Sequence, residues 1–404
     1  MGMNSTPASE RTHIGIFGRR NAGKSSIINA LTDQNLAIVS DVKGTTTDPV
    51  MKSMELLPLG PVVMIDTPGL DDEGELGALR MQKAYQVLNK TDLAVLVVDA
   101  ALGMSGEDTD ILARIRDKGI PYLIVFNKAD LGADYNRAAK ELKEVFQIDE
   151  YSLLWVSAKN GLNIHEMKER LAALTPKDDG GRRIAADLIS CGDFVVLVVP
   201  IDKAAPKGRL ILPQQQTIRD LLDAGGIPVV VRDTELSGAL KRLGVKPALV
   251  ITDSQVFEQV AGVVPDDIPL TSFSILFARY KGNLDLVVRG AGAIDMLRHD
   301  DTILISEGCT HHRQCGDIGT EKLPGWLLKY TQKNLHFEFT SGTEFPQDLS
   351  KYRLIIHCGG CMLNEREMKY RLKCAEDAGV SMTNYGTAIA HMKGILARSI
   401  EVLH

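Results

Sequence analysis

Soft metal donors gather in two short runs, C-T-H at 309–311 and H-C-G-G-C at 357–361. Thiolates at Cys309, Cys358 and Cys361, with an imidazole at His311, make a donor set for zinc or for an iron–sulfur centre. Each run follows an apolar, strand-like stretch, D-T-I-L-I-S-E (301–307) and Y-R-L-I-I (352–356). Both sets therefore fall just past strand C-termini, the edge of an open α/β sheet at which ligands bind. Gly359 and Gly360 allow a tight turn whose N–H groups point at sulfur. Cys309 and His311 share one face of extended chain at period two. A cluster held by three cysteines and one weaker ligand is favoured over zinc. Structural zinc staples loops too small to fold alone, and this region carries strand and helix patterning of its own. A disulfide-exchange reading leaves Cys309 and the histidines unexplained. The fourth position stays open among His311, His312, His357, Cys315, Asp317 and water, with His311 first on geometry.

The opposite end carries hard-ligand chemistry. G-R-R-N-A-G-K-S (18–25) follows the strand-like H-I-G-I-F and opens the helical S-I-I-N-A-L, the context that makes such a loop a phosphate site. Gly18, Asn21, Gly23, Lys24, Ser25 and Ser26 line it; Lys24 neutralises the β/γ-phosphates and Ser25 holds Mg2+. D-T-P-G (66–69) ends the run V-V-M-I, which brings Asp66 to the Mg2+ shell and Gly69 to the γ-phosphate. N-K-A-D (127–130) resembles the guanine-reading motif: Asn127, Lys128 and Asp130, with Asp130 accepting from the base N1 and N2 donors. S-A-K (Ser157, Ala158, Lys159) completes the base pocket. G-T-T-T-D (44–48) resembles switch I, with Thr46 the second Mg2+ ligand. Lys24, Thr46 and Gly69 are the expected catalytic group. Leu70 stands where many GTPases orient the attacking water with glutamine, so another group must stabilise the transition state.

Elements to position these residues recur along the chain, apolar runs alternating with amphipathic stretches, the α/β pattern. The fold class is a P-loop Ras/Era-like GTPase domain followed by two further α/β domains with largely parallel sheets. Expected divisions are a disordered leader at 1–11, a GTPase domain at 12–175, a dimerisation domain at 182–264 and an iron–sulfur domain at 265–404. Continuous apolar runs such as F-V-V-L-V-V-P (194–200) predict parallel sheets covered on both faces. The 182–264 block has no ligand cluster, which predicts an assembly role through an edge strand or helix face. Cys191 and Cys374 stand alone and are expected as small buried hydrophobes.

With 44% hydrophobic and 24% charged residues and a net charge of −6, the composition is that of a soluble globular protein and argues against a nucleic-acid footprint. No apolar run approaches the roughly 20 residues that span a bilayer. The start lacks an apolar h-region, so the expected location is cytoplasmic, with no membrane partner.

G-R-R-N-A-G-K-S-S with G-T-T-T-D resembles the tRNA-modification and Era-like GTPases. In members with the asparagine of position 21, the resemblance implies a K+ ion where an arginine finger would act. Such a domain followed by C-x-H and then H-C-x-x-C resembles the FeFe-hydrogenase maturation GTPases (HydF family) over the whole chain. The resemblance implies a homodimeric scaffold that carries a 4Fe–4S cluster through Cys309, Cys358 and Cys361. It further implies receipt of a di-iron precursor with CO and CN− ligands, delivery to apo-hydrogenase, and two radical-SAM maturases upstream. The competing readings are an Era-like tRNA-modification GTPase with a structural zinc, and an electron-transfer protein with a regulatory GTPase.

Overall fold

The computed structural model describes residues 6–32, 49–69, 75–131, 148–175, 183–201, 210–308, 317–342 and 344–403. Thr46, Leu70, Cys309, His311, His312 and Cys315 lie outside them. The chain forms two compact units, Met1–Asp178 and Asp179–His404.

The first unit is built on a six-stranded sheet of β1 (Thr12–Phe17), β2 (Val50–Leu56), β3 (Gly60–Asp66), β4 (Leu93–Asp99), β5 (Tyr122–Asn127) and β6 (Leu153–Trp155). The spatial order is β2-β3-β1-β4-β5-β6. Only β2 runs antiparallel to its neighbour. Strand β4, L-A-V-L-V-V-D, is buried along its whole length because both faces are covered. Ala94, Leu96 and Val98 enter one core and Leu93, Val95 and Val97 the other, the period of two that a strand imposes.

The second unit holds two four-stranded sheets, each parallel throughout. One orders β7 (Phe194–Val198), β8 (Ile227–Val231), β9 (Leu249–Thr252) and β10 (Leu270–Ser272) as β10-β9-β7-β8. The other orders β11 (Thr302–Ser306), β12 (His336–Thr340), β13 (Leu354–His357) and β14 (Ser381–Asn384) as β12-β11-β13-β14. The strand-like stretches read from sequence at 301–307 and 352–356 contain β11 and most of β13. Largely parallel sheets are what the apolar runs require.

The two sheets do not divide cleanly along the chain. β10 falls within the 265–404 segment yet pairs with β9. The helix Phe273–Lys281 packs Phe273, Leu276 and Phe277 against Val195 and Leu197 of β7. Ile395, Leu396 and Ile400 pack on the opposite face, with Val196, Val198 and Leu270. Residues beyond 264 thus complete the core of the sheet before it.

Candidate functional site

In the first unit the phosphate loop leaves β1 on backbone that only glycine takes without strain. Gly18 has φ 137°, and a Cβ there would sit 2.1 Å from the Val97 carbonyl oxygen. Gly23 has φ 94°, and its Cβ would sit 2.2 Å from Asn127 Nδ2. Asn21 is left-handed at φ 60°, a conformation in which asparagine is enriched. Lys24 is buried, and its Nζ donates to the carbonyls of Gly18 (2.8 Å) and Arg19 (2.9 Å). Ser26 follows in the first turn of the helix Lys24–Thr32. Gly69 lies against this loop: a Cβ there would meet Arg20 N at 2.9 Å.

Ser25 Oγ donates to Asp66 Oδ2 at 2.8 Å. The other carboxylate oxygen, Oδ1, is buried without a hydrogen-bond partner. Burial pushes the Asp66 carboxyl up, against the pull of the Ser25 hydrogen bond and the charges of Lys24 and Lys52. An unsatisfied buried carboxylate oxygen is costly, and a hard divalent cation relieves it. A hydroxyl beside a carboxylate is the oxygen-donor chemistry Mg2+ takes, so the residues fit that ion.

The base-pocket residues come together as well. Asn127 bridges two loops, donating from Nδ2 to Ala22 O (3.0 Å) and accepting at Oδ1 from Ala158 N (3.1 Å). Ser157 Oγ donates to Asp130 Oδ1 at 2.7 Å, and that bond holds the Asp130 carboxyl below its ordinary value, with Lys159 adding to the effect. Lys128 stands in left-handed backbone and pairs with Asp99 at 2.6 Å. One tether was not anticipated from sequence. Arg19 Nε reaches Asp108 Oδ2 at 3.2 Å and its Nη2 donates to Gly103 O. Asp108 also closes a capping box with Ser105. The S-x-x-D spacing at 105–108 is a signal that could have marked it.

In the second unit, β13 ends at His357 and the Cys-x-x-Cys turn follows. Cys358 Sγ accepts from Gly308 N (3.0 Å) and Gly360 N (3.4 Å), and Gly360 takes φ 64° to make the turn. Cys361 is pushed up to about 11, first by burial and then by the neighbouring Cys358. Lys281 Nζ donates to the carbonyls of Cys361 and Leu363, each at 3.0 Å. Peptide N–H groups aimed at sulfur favour the thiolate, and a pair of thiols with two residues between them is a soft donor set that fits zinc or iron. Among the described residues no group of three or more His, Cys, Asp or Glu could hold a metal; Cys309 and His311 lie outside them.

Two of the candidates for the fourth position have other partners. His357 is buried, with Nδ1 at 2.7 Å from Cys358 O and Nε2 at 3.0 Å from Arg371 Nη1. That leaves it no free ring nitrogen. Asp317 caps the helical turn Ile318–Lys322, its Oδ2 accepting from Thr320 N (3.0 Å) and Oγ1 (3.1 Å). The lone cysteines divide: Cys374 is half-buried against an apolar cluster that includes Leu372, whereas Cys191 is exposed, against expectation.

A glycine-lined phosphate loop, an Asp–Ser pair beneath it and an Asn/Asp base pocket define a P-loop GTPase domain, and residues 13–128 match the family model described as 50S ribosome-binding GTPase. Residues 184–282 match the hydrogen maturase F dimerization domain and 285–402 its tetramerization domain. The chain belongs to the hydrogen maturase F family.

More distant relatives match part of the chain. GTPase Der of Wolinella succinogenes is 32% identical over 188 residues, 45% of this chain and 39% of that protein. The tRNA modification GTPase MnmE of Moorella thermoacetica is 35% identical over 180 residues, 44% of this chain and 37% of that protein. The chain thus spans less than half the length of these curated relatives. A solved Aquifex aeolicus Era variant bound to GDP and AlF4− aligns at TM-score 0.37 and 19% identity, over 55% of this chain and 92% of that one. Among the described residues no helix is long and apolar enough to cross a membrane.

Proposed function

We propose that the chain is a GTP-hydrolysing scaffold of FeFe-hydrogenase maturation. The phosphate loop takes the nucleotide phosphates on its backbone amides and on Lys24. Ser25, Asp66 and Thr46 hold Mg2+, Asp130 reads guanine, and Asn127 and Ser157 hold the base pocket in register. Asn21 contributes to a K+ site that supplies the charge Leu70 cannot.

Cys309, Cys358 and Cys361 would hold a 4Fe–4S cluster, the fourth position falling to His311, Cys315, Asp317 or water. When bound, that cluster supplies an iron with a replaceable ligand. The cargo is a di-iron precursor with CO and CN− ligands, received from radical-SAM maturases and passed to apo-hydrogenase in the cytoplasm. The chain acts as a homodimer. The edge of β8, unpaired among the described residues and with Ile227 and Val230 exposed, suits self-pairing through strand addition.

One observation carries the reading in a chain of this family: a thiol turn past a strand C-terminus whose Cys358 sulfur accepts two peptide N–H groups. Anaerobic iron and sulfide analysis with EPR tests it. Near-equal iron and acid-labile sulfide, lost in Cys358→Ala and Cys361→Ala, is the expected result. Zinc in place of iron would return the protein to the structural-zinc reading.

A further inference from the structure

Arg371 is wholly buried and is the bulkiest side chain sealed from solvent among the described residues. A buried cation is tolerated only when paired and fully hydrogen-bonded. Its Nε is bound by Glu367 at 2.9 Å, within the helix Glu365–Asp377. The rest of the fork spreads over the ends of three adjacent strands. Nη1 donates to Ser306 Oγ (3.3 Å) and His357 Nε2 (3.0 Å), and Nη2 to Gly342 O (2.8 Å). Ser306 is in register with Thr340 on one side and His357 on the other, and Thr340 Oγ1 donates to it at 3.0 Å. One guanidinium therefore ties β12, β11 and β13 at the row from which the thiol turn departs.

Proton arithmetic then settles the histidine. Guanidinium has donors only, so Nε2 of His357 must be the unprotonated nitrogen. Nδ1 carries the proton and donates to Cys358 O at 2.7 Å. The imidazole is a neutral strut with an arginine at one end and the backbone of a thiol residue at the other.

We propose that Arg371 is a positioning residue for the thiol turn, acting on Cys358 through the Nδ1–H tautomer of His357. The helix Glu365–Asp377 thereby sets where the first sulfur of the Cys-x-x-Cys turn stands. In its consequence for metal this rests on the reading of Cys358 as a ligand; the strut itself does not.

The test uses the full chain, metal-free and anaerobic, with isotope-labelled histidine. Two-bond nitrogen–proton correlation should show one histidine locked as Nδ1–H, its signal absent in His357→Leu. In Glu367→Gln/Arg371→Met, which removes both buried charges together, that signal should shift toward the Nε2–H form that free imidazole prefers. Alkylation of Cys358 by iodoacetamide, read by mass spectrometry, should quicken about tenfold in His357→Leu. It should quicken similarly in the double variant, and no further when the changes are combined, as two members of one chain of contacts require. An Nε2–H signal for His357 in the parent overturns the proposal, as do unchanged alkylation in His357→Leu or additive effects. Should the double variant fail to melt cooperatively, the parent tautomer and His357→Leu still decide. Iron content after reconstitution is measured in parallel. A parent chain that takes up no iron refutes the cluster reading and leaves the tautomer result standing.

Discussion

Ser25 and Asp66 share a single hydrogen bond of 2.8 Å, leaving the second oxygen of Asp66 buried and unpartnered. Asp66→Asn keeps the shape and removes the charge. Mg2+ should then cease to strengthen nucleotide binding, a loss of about tenfold or more, ~1.4 kcal/mol per decade. The nucleotide-free variant should melt no lower than the parent, because the buried charge opposes folding until a cation arrives. Titration calorimetry with and without Mg2+, beside a melting curve, reads both effects.

Asp130 is held low by Ser157. A carboxyl whose folded pKa is depressed stabilises above its unfolded value of about 3.9, and the contribution is lost as pH falls through the lower folded value. Guanine preference should therefore be flat from neutral pH down to about the unfolded value. Asp130→Asn should abolish the preference, and Ser157→Ala should raise the pH at which it begins to fade. Competition of GDP against xanthosine and adenosine diphosphates across pH measures this, and a preference untouched by Asp130→Asn would show the motif misread.

The K+ reading needs a control that the backbone dictates. At φ 60° an alanine at position 21 is strained as well as truncated, whereas glycine is truncated alone. Turnover of GTP should be several-fold faster in K+ than in Na+. Both Asn21→Gly and Asn21→Ala should erase the difference, with nucleotide affinity near that of the parent in the glycine variant. Equal parental rates in the two salts would end the K+ assignment.

Self-association through β8 predicts that a lysine on its exposed face blocks pairing, as charged edges do elsewhere. Val230→Lys should yield folded monomers by light scattering, with a melting temperature that no longer rises with protein concentration. A variant that stays dimeric moves the interface to another face.

Much of the fold and of the nucleotide site is legible in the sequence. The glycine-punctuated loop at 18–25 and the apolar runs that became β7, β11 and β13 carry their own context, because a buried parallel strand must be apolar throughout. What could not be read depends on tertiary contact. Leu270–Ser272 is three residues of mixed polarity, too short to register as a strand. The helix E-R-E-M-K-Y-R-L-K reads as a solvated, charge-laced surface, yet its second arginine, Arg371, is wholly buried. His357 next to a cysteine reads as a ligand, until both of its nitrogens are seen to be committed elsewhere. Thr46, Cys309 and His311 remain expectations from spacing.

The interleaving of the second unit sets a schedule for its synthesis. Phe273, Leu276, Ile395 and Ile400 close the two faces of the sheet that β7 opens. As the chain emerges from the ribosome, strands from 194 onward must wait about 200 residues for their last cover, some tens of seconds at the slower elongation rates. Over that interval one apolar face of the sheet stands short of its last cover, the condition under which nascent strands are most exposed to aggregation.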